Sequence, residues 1–303
     1  MLKVGFIGLG TMGFPIAGHI SKSYETLVFN RTSNKSQKWT SEFEGVICES
    51  VKELTLKSKV IILCLSEDRD IEEVVLGADG ILEHLNEGTI VVDHSTTSAD
   101  TAILISKELL KKGSIYLDAP VSGGEAGAQN GKLSVMLGGD SAAYKEISSI
   151  LDCYSAFHKY MGPSGNGQLT KMINQICIAG LLQALAEAAS FSKKSGISSK
   201  DVLDVISKGA AQSWQMENRW DSMIDDEYNF GFAVDLMVKD LEIVSEFSKK
   251  IGASISITET IKSYYKELQA KGAGKLDTSS LLKRLDMLDK NQVKNTSKNP
   301  TTM

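Results

Sequence analysis

The stretch Val4-Gly-Phe-Ile-Gly-Leu-Gly-Thr-Met-Gly13 joins a predicted strand, Lys3–Ile7, to the start of a predicted helix. Its glycines have the spacing G-x-G-x-x-G. In this context the first glycine makes a tight turn, the second lets the backbone approach a pyrophosphate, and the third allows close helix–strand packing. The stretch therefore predicts a βαβ unit that binds a dinucleotide. The predicted cofactor contacts are Gly8, Leu9, Gly10, Thr11, Met12 and Gly13.

Short apolar runs alternate with amphipathic ones as far as about residue 160, and helical periodicity dominates afterwards. Strands separated by helices indicate a mostly parallel sheet. The fold class is therefore α/β, a doubly wound Rossmann-type sheet followed by an all-α domain. We expect a dinucleotide-binding domain over 1–162, a helical substrate and oligomerisation domain over 163–289, and a polar tail over 290–303. The predicted strands are Lys3–Ile7, Thr26–Phe29, Val46–Ile47, Val60–Leu65, Thr89–Val92, Ile115–Leu117, Leu133–Leu137 and a weak one near Phe157–Tyr160.

Composition excludes several classes of protein. The 303 residues are 42% hydrophobic and 23% charged, as in ordinary soluble proteins. A net charge of -5 argues against nucleic acid as a partner. No secretory leader is evident, and no apolar run approaches the roughly 18 residues that span a membrane. The four cysteines lack metal-binding spacing. We expect a cytoplasmic protein without a metal site.

The end of the second strand bears on the choice of cofactor. An NAD site usually has an acidic residue there, which binds the ribose 2′-hydroxyl. This chain has Asn30-Arg31-Thr32 instead. The neutral Asn30 removes a repulsion, and Arg31 can form a charge-assisted pair with a 2′-phosphate. The triplet favours NADP, with NAD as the alternative.

Two further loops follow strands of the sheet, at the edge where open α/β folds bind ligands. Leu65-Ser66 follows the fourth strand, and Leu65 is expected to pack on the adenosine or ribose. Asp93-His94-Ser95-Thr96 follows the fifth, and Thr96 is expected to reach the nicotinamide ribose. His94 is either a general base or a brace for its loop beside Asp93. The absence of a partner pattern favours the brace.

The segment from Asp118 to Gly131 contains four glycines and one proline, and we predict no regular element in it. Ser122 and the backbone N–H groups of Gly123 and Gly124 can form a nest for a carboxylate.

A long helix is predicted to open at Gly165. Gln168, Lys171, Asn174 and Gln175 share one face of it, and the residues that follow are almost all apolar. A polar face on an otherwise apolar helix predicts the wall of a cleft. Further on, Ser213-Trp-Gln-Met-Glu-Asn-Arg-Trp220 is rich in aromatic and polar side chains. Its Trp214, Gln215 and Arg219 either belong to a core or interface or, as the family resemblance given below implies, select the far end of a substrate.

Four motifs occur in a characteristic order. They are Phe6–Gly13, Asp118-Ala-Pro-Val-Ser-Gly-Gly124, Gly165-x-Gly-x-x-x-Lys171-x-x-Asn174 and Lys239-Asp-Leu241. Together they resemble the β-hydroxyacid dehydrogenases, which include 3-hydroxyisobutyrate dehydrogenase, tartronate semialdehyde reductase and the glyoxylate or succinic semialdehyde reductases. The resemblance covers residues 2 to about 288.

The resemblance implies a role for each matching residue. Lys171 would be the catalytic acid/base, and Asn174 would orient the substrate or the lysine. The substrate carboxylate would bind to Ser122, Gly123 and Gly124.

The same resemblance places Lys239 near the nicotinamide and Phe232 in the lining of the site. Trp214 and Gln175 are further candidates for substrate binding. Gln175 departs from the family, which more often has a second asparagine there, so its role is the least certain.

The sequence therefore predicts an NADP-dependent oxidoreductase that interconverts a small β-hydroxy acid and its semialdehyde. Hydride transfer requires a proton at the substrate oxygen, and a lysine can supply or accept it. An NAD-linked 3-hydroxyisobutyrate or serine-type dehydrogenase is the alternative within the class. A non-catalytic dinucleotide sensor or scaffold is the alternative outside it. We expect a small carboxylate-bearing substrate, no nucleic acid or membrane partner, and a homodimer or homotetramer.

Overall fold

The glycine stretch follows a strand in the middle of a mixed sheet. The computed structural model describes residues 2–296. Within them the strands are β1 (Lys3–Ile7), β2 (Glu25–Phe29), β3 (Val46–Ile47), β4 (Val60–Leu63), β5 (Ile90–Asp93), β6 (Ile115–Asp118), β7 (Val121–Ser122), β8 (Leu133–Gly138) and β9 (Ser155–Gly162). The strand order β3-β2-β1-β4-β5-β6-β8-β7 reverses between β1 and β4, and β9 pairs with β8. A ligand crevice is expected at that reversal, at the carboxyl ends of the strands.

Continuous apolar runs explain the central strands. Every residue of β4 (Val-Ile-Ile-Leu) and of β5 (Ile-Val-Val-Asp) is buried, because helices cover both faces of the parallel part of the sheet. Each predicted strand is present with its ends within about two residues, and this confirms the doubly wound sheet. β6 and β8 pair in the antiparallel sense, so the sheet is mixed beyond β6.

Helices connect the strands and make up the second half of the chain. They are α1 (Gly13–Ser21), α2 (Ser33–Glu42), α3 (Val51–Lys57), α4 (Asp68–Leu76), α5 (Ile81–His84), α6 (Ala99–Lys111), α7 (Gly124–Gln129), α8 (Ser141–Leu151), α9 (Asn166–Ser195), α10 (Ser199–Ile206), α11 (Trp214–Ile224), α12 (Val234–Ile251), α13 (Ser256–Ala270) and α14 (Leu281–Thr296). A 3-10 turn, Thr278–Ser280, precedes α14.

The prediction that residues 118–131 form no regular element is wrong. Val121–Ser122 forms β7 beside β8, and Gly124–Gln129 forms α7. Gly123 and Gly124 have positive φ values of 133° and 62°, so these two glycines make the turn that the composition signalled. The five residues that follow Gly124 have no such requirement, and they continue as a helix.

The helical half has a core of its own. Ala179, Leu182 and Ala186 of α9 pack against Trp220 and Tyr265 in one apolar cluster. By length and composition α9 could cross a membrane, contrary to the expectation that no run approaches that length. Since nearly half of that apolar stretch is buried within the protein, α9 fits a core helix of the second unit.

Contacts divide the chain into two compact units between Lys171 and Met172, nine residues after the predicted boundary at 162/163. The first unit contains the sheet and the first turns of α9. The polar tail predicted for 290–303 is helical as far as Thr296, and the rest of it, residues 297–303, lies outside the described residues.

Gly13 is expected to be essential for packing. A Cβ atom at Gly13 would lie 2.0 Å from the Gly8 carbonyl oxygen and 2.9 Å from the Phe6 ring. We expect Gly13→Ala to lower the free energy of unfolding by about 1–3 kcal/mol, the usual range for overpacking. Gly10→Ala is the matched control, because a Cβ there meets no atom within 4 Å. Urea unfolding of both variants tests this, and equal losses would contradict it.

Candidate active site

The loop between β1 and α1 is fixed to the end of β2. Gly8 donates its N–H to the Phe29 carbonyl oxygen (3.1 Å), and the Leu9 N–H donates to Asn30 Oδ1 (2.9 Å). Asn30 Nδ2 in turn donates to the Thr32 carbonyl oxygen (3.0 Å). The sequence predicted Asn30 as a cofactor contact because a neutral residue does not repel a 2′-phosphate. Its amide also fixes the shape of the glycine loop. An aspartate could accept from Leu9 but could not donate to Thr32.

A groove of about 550 Å³ lies at the reversal of strand order, within the volume range of small-molecule sites. Seven predicted cofactor residues line it, together with Cys64. These seven are Gly8, Gly10, Asn30, Arg31, Thr32, Leu65 and Ser66. The structure therefore brings together three loops that are far apart in the sequence.

The other predicted cofactor residues of the first unit lie close by. Leu9 and Thr11 line a second groove, beside Gly10. Met12 packs against the apolar core of the sheet, and Gly13 is buried at the start of α1. Thr96 is half-buried in the loop after β5.

Cations and carboxylates line the groove that contains the 30–32 segment, with Asp70, Glu73 and Asp79 as the acidic residues. The Arg31 side chain is 87% exposed, and its nearest acidic atom is Asp70 Oδ1 at 3.9 Å. An exposed pair at this distance contributes little stability, so Arg31 can turn to a ligand. Lys35, on the first turn of α2, lines the same groove. Sequence reasoning missed Lys35, although its position four residues after Arg31 could have indicated it.

His94 supports its loop, as the sequence favoured, but its partners are not Asp93. Nδ1 donates to the Ala119 carbonyl oxygen (2.6 Å), and Nε2 therefore accepts from the Tyr154 hydroxyl (2.8 Å). Burial lowers the pKa of His94 to about 4. Asp93 instead accepts from the Ser95 N–H and the Tyr116 hydroxyl. The alternative of a general base at His94 loses its basis.

Two buried side chains fix the start of α9 against the sheet. Asp118, at the end of β6, accepts from the N–H groups of Gly165 (2.8 Å) and Gln168 (3.0 Å). Burial raises the pKa of Asp118 to about 6, although these N–H groups oppose that rise. Gln168 accepts from the Thr97 N–H (3.1 Å) and donates to the Ser95 carbonyl oxygen (2.8 Å).

Gln168 was predicted to belong to the polar wall of a cleft, and this is wrong because it is fully buried. The role of Asp118 was missed. A lone acidic residue at the end of an apolar strand was the available signal.

Lys171 lies beside the predicted carboxylate nest. Its Nζ donates to the Val121 carbonyl oxygen at 2.8 Å, and the residue is 7% exposed. Ser122 follows Val121 on β7, and the Gly123–Gly124 turn comes next. The first unit therefore places an ammonium group, a hydroxyl and the N–H groups of a glycine turn near one another. That combination suits a small carboxylate.

In the second unit, Asn174 and Gln175 belong to a hydrogen-bonded series. Asn174 Nδ2 donates to Gln175 Oε1 (2.8 Å), and Gln175 Nε2 donates to Asp240 Oδ2 (2.7 Å). Lys239 Nζ is 3.1 Å from Asp240 Oδ1. Gln175 is only 2% exposed, so both ends of its amide have protein partners.

Arg219 makes its contacts within the helical unit of the protein. Arg219 Nε lies 3.2 Å from Asp277 Oδ1, and its guanidinium lies over the rings of Trp214 and Phe230. The buried Asp277 also accepts from the Phe232 N–H (2.9 Å). Arg219 thus supports the backbone at Phe232, which was predicted to line the site. Trp214 is 45% exposed, so its predicted contact with a substrate stays a prediction.

No group of three potential metal ligands occurs among the side chains of residues 2–288. The Lys171 ammonium and the N–H groups of the glycine turn can serve in proton transfer and anion binding.

A glycine loop at the strand reversal, a groove beside it and a buried lysine next to a glycine turn are typical of one class, the dinucleotide-dependent oxidoreductases. Known proteins agree. Residues 3–162 match the NAD binding domain of 6-phosphogluconate dehydrogenase, and residues 165–285 match the NAD-binding domain of NADP-dependent 3-hydroxyisobutyrate dehydrogenase.

Individual relatives match over almost their whole length. An uncharacterised oxidoreductase of Shewanella frigidimarina is 45% identical over 94% of this chain and 99% of its own. The 2-hydroxy-3-oxopropionate reductase of Escherichia coli is 31% identical over 95% and 98%. The crystal structure of a 3-hydroxyisobutyrate dehydrogenase from Salmonella typhimurium has a TM-score of 0.83 at 28% identity, over 93% and 99%.

The chain belongs to the β-hydroxyacid dehydrogenase family. It is an NAD(P)-dependent 3-hydroxyacid dehydrogenase or semialdehyde reductase.

The neutral state of His94 is expected to make stability depend on pH. The pKa is about 4 in the folded protein and about 6.5 in an unfolded chain, so the unfolded chain binds the proton first. The contribution of His94 is fully present above pH 6.5 and is lost as the pH falls toward 4. At about 1.4 kcal/mol per pH unit, this loss is about 3 kcal/mol.

Asp93 and Asp118, whose pKa values burial raises to about 6, act in the opposite direction over this range. The measurement is therefore the difference in free energy of unfolding between the wild type and His94→Gln, from pH 7 to pH 4. We expect that difference to shrink as the pH falls. A difference independent of pH would contradict a buried neutral imidazole.

Proposed function

We propose that this enzyme is an NADPH-dependent reductase of small semialdehydes that carry a carboxylate, and that Lys171 is its acid/base. One observation carries the proposal. Lys171 Nζ is held 2.8 Å from the Val121 carbonyl oxygen, beside Ser122 and the Gly123–Gly124 turn. Because these residues lie within the first unit, the proton donor and the anion site belong to the same rigid framework.

The groove at the strand reversal fits a nicotinamide dinucleotide. A Cβ atom at Gly10 would meet no atom within 4 Å, so the backbone there is open to the close approach of a pyrophosphate. Leu65 and Ser66 line the same groove and suit the adenosine half. When bound, the cofactor supplies or removes a hydride.

The chain's own residues then manage the charge on the substrate. Ser122 and the N–H groups of Gly123 and Gly124 bind the carboxylate. As the aldehyde carbon gains the hydride, negative charge develops on its oxygen, and the Lys171 ammonium transfers a proton to that oxygen. The products are a β-hydroxy acid and a neutral amine that takes a proton back from water. In oxidation the same amine accepts the proton of the hydroxyl group.

Four further residues have roles in the proposal. Those of Asn174, Lys239 and Phe232 are taken from the family resemblance, and that of Thr96 from its place in the loop after β5. Asn174, one helical turn after Lys171, orients the lysine or the substrate oxygen. Thr96 and Lys239 contact the nicotinamide half of the cofactor, and Phe232 lines the substrate pocket. Phe232 is half-buried, and the hydrogen bond from its N–H to Asp277 supports a fixed position for its ring.

Preference for NADP is supported by the charges at the start of α2. Arg31, Lys35 and the positive end of the α2 dipole can all face a 2′-phosphate, and Asn30 adds no negative charge. One observation favours NAD instead. Asp70 lines the same groove and would repel a phosphate at that end. An NAD-linked 3-hydroxyisobutyrate or serine-type dehydrogenase is therefore the second candidate.

We further propose a cytoplasmic homodimer or homotetramer. Ile173, Leu181 and Phe191 recur along α9 and are 63%, 39% and 74% exposed. Exposed apolar side chains that recur along one helix are typical of a surface covered by another subunit.

Lys171→Ala tests the acid/base. We expect turnover to fall by about 10² or more, the usual contribution of general acid–base catalysis, while cofactor binding persists. Lys193→Ala, an exposed lysine on the same helix, is the matched control. Absorbance of the reduced nicotinamide, with short semialdehydes and β-hydroxy acids, gives the rates. Turnover by Lys171→Ala close to that of the control would refute the role, and no turnover of any such substrate by the wild type would favour a sensor or scaffold.

Arg31→Gln tests the choice of cofactor. Loss of a charge-assisted hydrogen bond should weaken NADPH binding roughly tenfold or more, with little effect on NADH. Asp70→Asn should act in the opposite direction, because it removes a competing carboxylate. Arg69→Gln removes an exposed neighbouring arginine and serves as the control. Titration of each variant with both cofactors measures the effect, and equal weakening of NADPH and NADH would rule out a 2′-phosphate contact at Arg31.

A further inference from the structure

Gln175 joins the side chain next to it to a carboxylate on another helix. Its Oε1 accepts from Asn174 Nδ2 at 2.8 Å, and its Nε2 donates to Asp240 Oδ2 at 2.7 Å. All three residues belong to the second unit. Gln175 and Asp240 are each only 2% exposed, so water does not compete for the hydrogen bond between them.

The direction of each hydrogen bond in this series is fixed by chemistry. A carboxylate only accepts hydrogen bonds, so Asp240 requires the NH₂ end of the Gln175 amide to face it. The carbonyl end of Gln175 must then face Asn174, and the NH₂ end of Asn174 must face Gln175. An amide alone can be turned by 180° with little change of shape, and its hydrogen-bond network decides the orientation. Here the network starts from the Asp240 carboxylate, which can only accept hydrogen bonds.

We propose that Gln175 is a positioning residue, which makes Asn174 a hydrogen-bond acceptor at the position one turn after Lys171. This inference rests on the proposed function of Lys171. With its NH₂ committed to Gln175, Asn174 offers its carbonyl oxygen on the opposite side of the amide. A carbonyl oxygen accepts a hydrogen bond from an ammonium or a hydroxyl group. Lys171 is an ammonium before it transfers its proton, and the substrate oxygen is a hydroxyl after it receives that proton. A reversed amide would offer an N–H, which cannot bond to an ammonium because an ammonium has no acceptor.

Asp240 contacts Lys239 as well as Gln175, so the experiment has to separate the effects of these two contacts. Lys239 Nζ lies 3.1 Å from Asp240 Oδ1, and Lys239 is proposed to contact the cofactor. A change at Asp240 therefore affects two functions, whereas a change at Gln175 leaves the pair between Lys239 and Asp240 in place. The orientation of Asn174 should influence kcat, and the Lys239 pair should influence the KM for the cofactor.

Gln175→Leu is the first variant. We expect kcat for semialdehyde reduction to fall about tenfold, the equivalent of one hydrogen bond to a charged group, with the KM for NADPH unchanged. Gln183→Leu is the matched control, because Gln183 is a buried glutamine two turns further along α9 whose Nε2 donates to Glu187. If the two leucine variants have the same kcat, the positioning role is refuted.

A second test exchanges the carboxylate and the amide between positions 175 and 240. It does not place a leucine in the core. In Gln175→Glu combined with Asp240→Asn, the new carboxylate accepts from both neighbouring amides, so Asn174 keeps its orientation. Each single change breaks the series of hydrogen bonds. Gln175→Glu places two carboxylates next to each other, and Asp240→Asn removes the carboxylate that fixes the orientation of the Gln175 amide. We expect the double variant to recover kcat to within about threefold of the wild type, well above either single variant. A double variant no better than the product of the single effects would overturn the proposal.

The outcome for Lys171→Ala separates this inference from the function on which it rests. If Lys171→Ala retains turnover, the acid/base proposal fails whatever happens at Gln175. If Lys171→Ala is inactive and the Gln175 variants match the wild type, only the positioning role fails. Thermal unfolding of every variant, with and without NADPH, shows whether the fold and the cofactor groove are intact.

Discussion

The carboxylate of Asp118 holds the start of α9 in place, and the geometry around Lys171 depends on it. Its two oxygens accept from the N–H groups of Gly165 and Gln168, in the first unit of the protein. The fit leaves no room for a side chain, since a Cβ atom at Gly167 would lie 2.5 Å from the Asp118 carbonyl oxygen. Lys171 lies one turn beyond Gln168, so the position of its ammonium group follows from this cap. A helix fixed at its end positions a catalytic group more accurately than a loop does.

Two neutral side chains, His94 and Gln168, support the site together with the carboxylates of Asp93 and Asp118. His94 is held in its neutral form by the Ala119 carbonyl oxygen and the Tyr154 hydroxyl. Gln168 satisfies two backbone groups of the loop after β5 without adding charge. An anionic cofactor and substrate would meet the cations of Arg31, Lys35 and Lys171. In a poorly solvated site, stray charges would act strongly on a reacting substrate.

The local sequence pattern was sufficient to predict the parallel sheet and the glycine loop, because each is determined by short contiguous segments of the chain. Buried runs such as β4 and β5 have one plausible structure, and Gly8, Gly10 and Gly13 have a steric reason for their spacing. The residues that support the site were harder to predict. The partners of Gln168, for example, are 71 and 73 residues away in the chain, and no periodicity encodes such a pairing.

Composition also misled where it was averaged over a segment. The four glycines of 118–131 suggested a loop, yet only Gly123, Gly124 and Gly131 have a positive φ. The polar face of α9 was read as one surface, but Gln168 and Gln175 are buried and their amides bind other parts of the protein. Sequence spacing gives the face of a helix on which a residue lies. It does not say whether that face meets water, a ligand or another polar group.

Cys64, which lines the dinucleotide groove, has a consequence for the protein's resistance to oxidants. Burial raises the pKa of its thiol to about 12, and the nearby Asp93 carboxylate adds to the rise. The thiolate is the form that reacts with peroxide and electrophiles, so a raised pKa keeps little of this sulfur in its reactive form at neutral pH. Cys64 packs against the apolar core of the sheet, as a small apolar side chain would. A groove lined by such a cysteine gains packing with little added tendency to oxidise.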